Sequence, residues 1–173
     1  MALINKVLPG YTATLWCQDD ISPTPLTDAQ LGTWASIQAI IGTSAGGAGT
    51  AGIQVPVEAI PAFGSDDAVA AFSVAGARTG AKITTQNQVT SLSITSAWNP
   101  ADTAMLLIRD DGYNGTIVRT YVVAVYDGTD TVAYAFNGMV GGMSWDMSPS
   151  AEGKFNFTIH PIGGNSYGWS NNT

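Results

Sequence analysis

Charged side chains are scarce in this sequence. Only 11% of its 173 residues carry charge, 45% are hydrophobic, and the mean hydropathy is +0.14. A soluble domain ordinarily has about a quarter of its residues charged. Much of this surface is therefore expected to be covered in use, as in an assembly; the plainer alternative is a secreted all-β domain. Six Lys and Arg against thirteen Asp and Glu give a net charge of −7 at pH 7, the wrong sign for gripping a phosphate backbone. A surface along which nucleic acid slides without sticking stays open.

Cys17 is the one cysteine and His160 the one histidine. No internal disulfide can form, and a histidine-based triad would have to be built on His160, on a strand beside Pro161. There is no Gly-x-Ser-x-Gly turn, no His-x-x-x-His or Cys-x-x-Cys pair, and no phosphate-cradling glycine loop. The paired acids Asp19/Asp20, Asp66/Asp67 and Asp110/Asp111 could be glycosidase carboxylates or calcium ligands. However, Asp110-Asp111-Gly112-Tyr113-Asn114 lacks the alternating ligand spacing of an EF-hand loop, and solvated turns explain these pairs better. Neither catalysis, cofactor nor metal is expected. The start, Met1 to Lys6, lacks a basic end and an apolar signal core, and no apolar run approaches a membrane span. The expectation is a soluble chain made in the cytoplasm and, at this length, one domain over 1–173.

What is present is organised around residues 89–136. Asn99 reads as a helix N-cap, Pro100 as the first helical residue and Gly112 as a stop. Ala101, Ala104, Met105 and Ile108 recur at helical spacing, so a helix is expected from about Pro100 to about Asp111. Asp110 and Asp111 oppose the dipole at its C-terminal end, a locally poor choice that can mark a contact between subunits. Residues 116–126 are nearly all β-branched or aromatic and read as a strand, returning through Asp127-Gly128 as a second strand over 131–136. Both faces of the first strand are apolar, with Ile117, Tyr121, Val123 and Val125 on one and Val118, Val122, Ala124 and Tyr126 on the other. The second face is expected to meet the flanking helix or another subunit.

Around this centre, residues 1–10 read as an arm and Tyr11–Cys17 as a strand. Thr27-Asp28-Ala29-Gln30 is a capping box opening a short helix, and Ile37–Ile41 is compatible with a strand. Gly42 to Gly52, with Gly46, Gly47 and Gly49 between, is a glycine/alanine loop expected to order against a neighbouring subunit. Ile53–Ile60 alternates as a strand that Pro56 confines to an edge or bulge. Residues 61–80 fit either a capped helix or a loop and an alanine-rich strand. Ala81–Trp98 holds one or two strands, broken near Gln86-Asn87. Gly138, Gly141 and Gly142 suit a bulge. Lys154–His160 is the cleanest strand, with Phe155, Phe157 and Ile159 inward. Residues 162–173, with Tyr167 and Trp169, read as a second arm.

This order of parts resembles the major tail tube proteins of long-tailed, non-contractile bacteriophages of the lambda type. The resemblance rests on the Ala13-Thr14-Leu15-Trp16 strand, the long loop, the Leu92–Trp98 strand, the capped Asn99-Pro100 helix, the hairpin and the closing Phe155–Gly163 strand, and covers most of 11–163. It implies a mainly β fold: a β-sandwich with one flanking α-helix, a long loop and terminal arms, whose sheets close into a barrel across a hexameric ring. It further implies stacked rings conducting DNA without specific binding, with tail-tip, tape-measure and tail-terminator proteins as partners, in the virion tail. Some relatives carry an extra immunoglobulin-like domain, which is not expected here. The candidate interface residues are Gly42, Gly46, Gly47, Gly49, Gly52, Asp110, Asp111, Tyr167 and Trp169. The candidate lumen-facing residues are Thr131, Asn137, Asn156, Thr158 and His160. Two other classes stay open, a carbohydrate- or receptor-binding β-sandwich and a glycosidase with two acids across a cleft.

Overall fold

The computed structural model describes residues 13–42, 51–63, 65–72, 81–126, 130–149, 151–162 and 167–171. In chain order the elements are β1 (Ala13–Gln18), α1 (Asp28–Leu31), α2 (Trp34–Ile41), β2 (Gly52–Val55), β3 (Ser65–Phe72) and β4 (Ala81–Val89). They continue with β5 (Leu92–Ala97), α3 (Thr103–Asn114), β6 (Arg119–Tyr126), β7 (Thr131–Asp146), β8 (Lys154–Pro161) and β9 (Tyr167–Asn171). The expected arm at 1–10 and the loop glycines Gly46, Gly47 and Gly49 lie outside the described residues.

One antiparallel sheet carries the fold, in the order β2-β1-β6-β7-β8-β5, with β9 also on β7. β7 is its spine, a strand of 16 residues. Its first half pairs with β6, Tyr126↔Thr131 to Arg119↔Gly138, and with β9 on the opposite edge. Its second half pairs with β8. The register shifts between Gly141 and Ser144, the glycine-rich bulge that the sequence leads one to expect, and a bulge bends the strand that carries it. Leu15, Tyr121 and Phe136 from one half of the sheet therefore share a core with Leu92, Phe155 and Phe157 from the other. This corrects the expected sandwich: a single bent sheet does the work of two. It does not close into a barrel within the chain. Within the C-terminal segment, Tyr167–Asn171 is likewise a strand of this sheet, β9.

Both faces of β6 are buried inside one chain. Tyr121 and Val123 join the main core, which α3 covers through Ala104, Met105 and Ile108. Val122 and Ala124, with Trp16, Ala133 and Ala135, pack against Leu31, Ile37, Ile40 and Ile41 of α1 and α2. The second face thus meets a helix pair, and one flanking helix becomes three helical segments. Ile37–Ile41 is helical rather than extended because Ile37, Ile40 and Ile41 fall on one helix face and bury completely against the sheet. Tertiary burial of that stripe outweighs the β preference of isoleucine. Gly52 makes the close approach possible: a Cβ there would sit 2.3 Å from the Ile40 carbonyl oxygen.

The capping box at Thr27 forms, with Thr27 N–H donating to Gln30 Oε1 at 2.9 Å. α3 starts later than expected. Asp102 is the N-cap, its Oδ1 accepting from Met105 N–H at 3.0 Å, while Asn99 closes a local turn by accepting from Ala101 N–H. Gly112 lies inside the helix, and Gly115, in left-handed conformation at φ 66°, ends it, as C-terminal glycines do. Residues 65–72 are the alanine-rich strand alternative, paired among the described residues with β4 alone. The break in 81–98 falls at residues 90–91 instead of 86–87. β2 stops at Val55 on the sheet edge, directly before Pro56.

Candidate functional site

The open face of β5, β8 and the second half of β7 carries a ladder of small, uncharged polar side chains. It exists because β8 alternates strictly, burying Phe155, Phe157 and Ile159 and turning Asn156, Thr158 and His160 outward. β5 alternates in step: Leu92, Ile94 and Ser96 are buried, and Ser93 and Thr95 lie on the outer face. Pairing then sets partners side by side. Thr95 Oγ1 donates to Asn156 Oδ1 at 2.7 Å, Ser93 Oγ lies 3.3 Å from Thr158 Oγ1, and Ser91 Oγ lies 3.0 Å from His160 Nδ1. Gly141 stands opposite Thr158 and Ser144 opposite Asn156 on β7, extending the rows without adding charge. Charge appears at one end, where Lys154 pairs with Glu58 at 2.9 Å and stands opposite Asp146 of β7. The Glu58 carboxylate holds the exposed Lys154 ammonium above its ordinary pKa.

This arrangement suits contact without capture. Hydroxyls and amides that satisfy one another offer few free donors, and the one lysine of these rows, Lys154 at their end, is already paired with Glu58 rather than free to hold a phosphate. Ser91 and His160 are a nucleophile–base pair by distance alone. No carboxylate among the described residues hydrogen-bonds the imidazole, so the orienting group of a triad is missing. Among the described residues there is no cluster of three or more His, Cys, Asp or Glu able to hold a metal ion, and no helix is long and apolar enough to cross a membrane.

The other sequence-selected residues separate from this face. Thr131 and Asn137 are buried, on the hairpin face whose Ala133 and Ala135 pack against α1 and α2. Asn137 is part of an internal network: Thr120 Oγ1 donates to Asn137 Oδ1 at 2.7 Å, and Asn137 Nδ2 donates to the Leu26 carbonyl at 2.8 Å. Neither residue lies on an open surface, which corrects their assignment to the lumen. Asp110 is exposed and pairs with Arg109. Asp111 is 4% exposed and binds a fully buried Arg119, Oδ2 to Nε at 2.7 Å and Oδ1 to Nη2 at 2.9 Å. Arg119 Nη1 also donates to the Gln18 and Asp20 carbonyls, each at 2.6 Å. Burial alone would lower the Arg119 pKa, but the hydrogen bonds and charge of Asp111 outweigh it and hold it above its ordinary value. The locally poor acid on α3 thus anchors the chain internally, tying α3, β6 and the segment after β1 together.

No protein-family model matches the chain, and no curated protein matches it in sequence. Solved structures do match in fold. A chain of the sheath/tube terminator of the PVC extracellular contractile injection system aligns with TM-score 0.61 and 9% identity, over 99% of this chain and 100% of that one. The fold is shared with injection-system components. A chain of the PVC sheath-tube complex aligns with TM-score 0.60 and 9% identity, covering 98% and 94% of the two chains. One from the tube-terminating cap of the anti-feeding prophage gives 0.55 and 11%, covering 100% and 95%.

Proposed function

We propose that this protein is a structural subunit of a phage-type tail tube. Copies associate in hexameric rings, rings stack, and the β5–β8 ladder lines a channel along which DNA passes without specific binding. The observation that carries the reading is that ladder: a polar, internally satisfied face, charged only at its Lys154 end, on a fold shared with injection-system components. The role is structural rather than catalytic, the location is the tail of a virion, and the partners are further copies of the chain and the proteins at the tube ends. The narrower form of the proposal is a non-contractile, lambda-type tail, tested by whether isolated particles carry a sheath. The reading as a whole is tested by light scattering and negative-stain microscopy of the purified protein. Rings or hollow tubes are expected, and monomers at every concentration would refute it.

A second reading is favoured by two of the structural neighbours, which belong to a sheath/tube terminator and a tube-terminating cap. If this chain caps a tube instead of building it, the same microscopy shows single rings that do not stack.

A further inference from the structure

Two features of the chain are complementary and are not paired with each other among the described residues. The first is the outer edge of β5. Trp98 N–H bonds the Gly153 carbonyl toward β8, whereas the Thr95 carbonyl points the other way and accepts from Glu58 N–H at 3.0 Å. The alternation of an antiparallel ladder therefore turns the backbone groups of Ser93, Thr95 and Ala97 away from β8. Of these, only the Thr95 carbonyl has a backbone partner among the described residues. That partner belongs to a short strap after β2. Ser96 Oγ donates to the Pro56 carbonyl, and Glu58 pairs with Lys154, but Pro56 has no N–H and cannot extend the ladder.

The second feature is the β3–β4 ribbon. Among the described residues it pairs only with itself, and in the chain it comes between the strap and β5. A lone two-stranded ribbon is marginal in water and gains stability from a third strand. An open strand edge is a ready template for such a strand.

We propose that the β3–β4 ribbon of a second copy adds to the outer edge of β5, displacing the strap at Thr95. The inference rests on the ring-forming function proposed above. Both partners lie on every chain, so the contact is head-to-tail and repeats around a ring. The strap then acts as a cover that keeps the edge from pairing until a ribbon arrives.

Ser93→Pro tests this, because its N–H points away from β8 and its loss spares the β5–β8 ladder while blocking an added strand. The full-length variant is expected to keep the wild-type melting temperature and lose association, with Ser93→Ala associating normally. Glu58→Gln, which loosens the strap, is expected to speed association by a factor of about two to five. Should Ser93→Pro fold poorly, hydrogen exchange on the wild-type protein decides: the amides of Ser93 and Thr95 and those of the ribbon slow together on assembly. Normal association of well-folded Ser93→Pro, or a ribbon that exchanges equally fast in both states, overturns the inference while leaving the tube reading intact. Wild-type protein that stays monomeric at every concentration overturns both.

Discussion

Removing the Arg119 guanidinium should be among the most damaging single substitutions in this chain. Arg119→Ala strands the Asp111 carboxylate at 4% exposure without a cation and leaves the Gln18 and Asp20 carbonyls short of a donor. Breaking a buried pair in this way costs about 3–5 kcal/mol. For a chain of this size each kcal/mol shifts the melting temperature by roughly 2–4 °C, so a fall of about 6–20 °C is expected. Thermal melts followed by circular dichroism measure it. The double replacement Arg119→Met, Asp111→Leu should recover most of the loss, because an apolar pair of similar volume escapes the desolvation penalty. A melting temperature for Arg119→Ala within about 3 °C of wild type, a shift worth only about 1 kcal/mol, would refute the assignment of Asp111 as an internal anchor.

Asp102→Ala should cost about 1 kcal/mol through loss of the N-cap bond to Met105, with Asn99→Ala costing less; the reverse order in urea melts would restore the earlier helix start. Burial pushes the Cys17 thiol up to about 12 and raises the Tyr121 hydroxyl well above its ordinary value. Both groups are neutral in the folded chain and ionise first in the unfolded one, so their stabilising contribution is full below about pH 8.5 and declines as pH rises toward 12. Melts across that range should show the decline, and a thiol reagent at pH 8 should reach Cys17 only on unfolding. Thr158→Arg adds a cation to the middle of the polar ladder. It should leave assembly unchanged, give salt-sensitive retention of DNA fragments and slow DNA delivery; normal delivery by particles carrying the substitution would remove Thr158 from the channel.

The local signals in the sequence survive where side-chain alternation and turn chemistry act alone. β8 appears with its inward and outward residues as read, the Thr27–Gln30 capping box forms, and the glycines near 141 mark the bulge. The failures come from packing between distant segments. Ile37–Ile41 looks extended until β1 and β6 supply a face for it to bury as a helix. The candidate face was half legible: Asn156, Thr158 and His160 follow from alternation, whereas Ser91, Ser93 and Thr95 join them only through pairing across 61 to 69 residues of chain. Thr131 and Asn137 have the right alternation for an open face, and only the position of α1 and α2 reveals that the face is covered. Arg119 stood unnoticed in an apolar strand, although a lone cation in such a run, eight residues beyond an acid at 111, is the signal that could have exposed the buried pair.

The tube account stands or falls on where the β5–β8 face points in an assembly. A cryo-electron microscopy reconstruction of the assembled protein measures this directly. The account predicts a hollow ring or tube with Ser93, Thr158 and Asn156 closest to the central axis and α3 on the side away from the channel. An assembly in which α3 lines the channel and the polar ladder faces outward would contradict it.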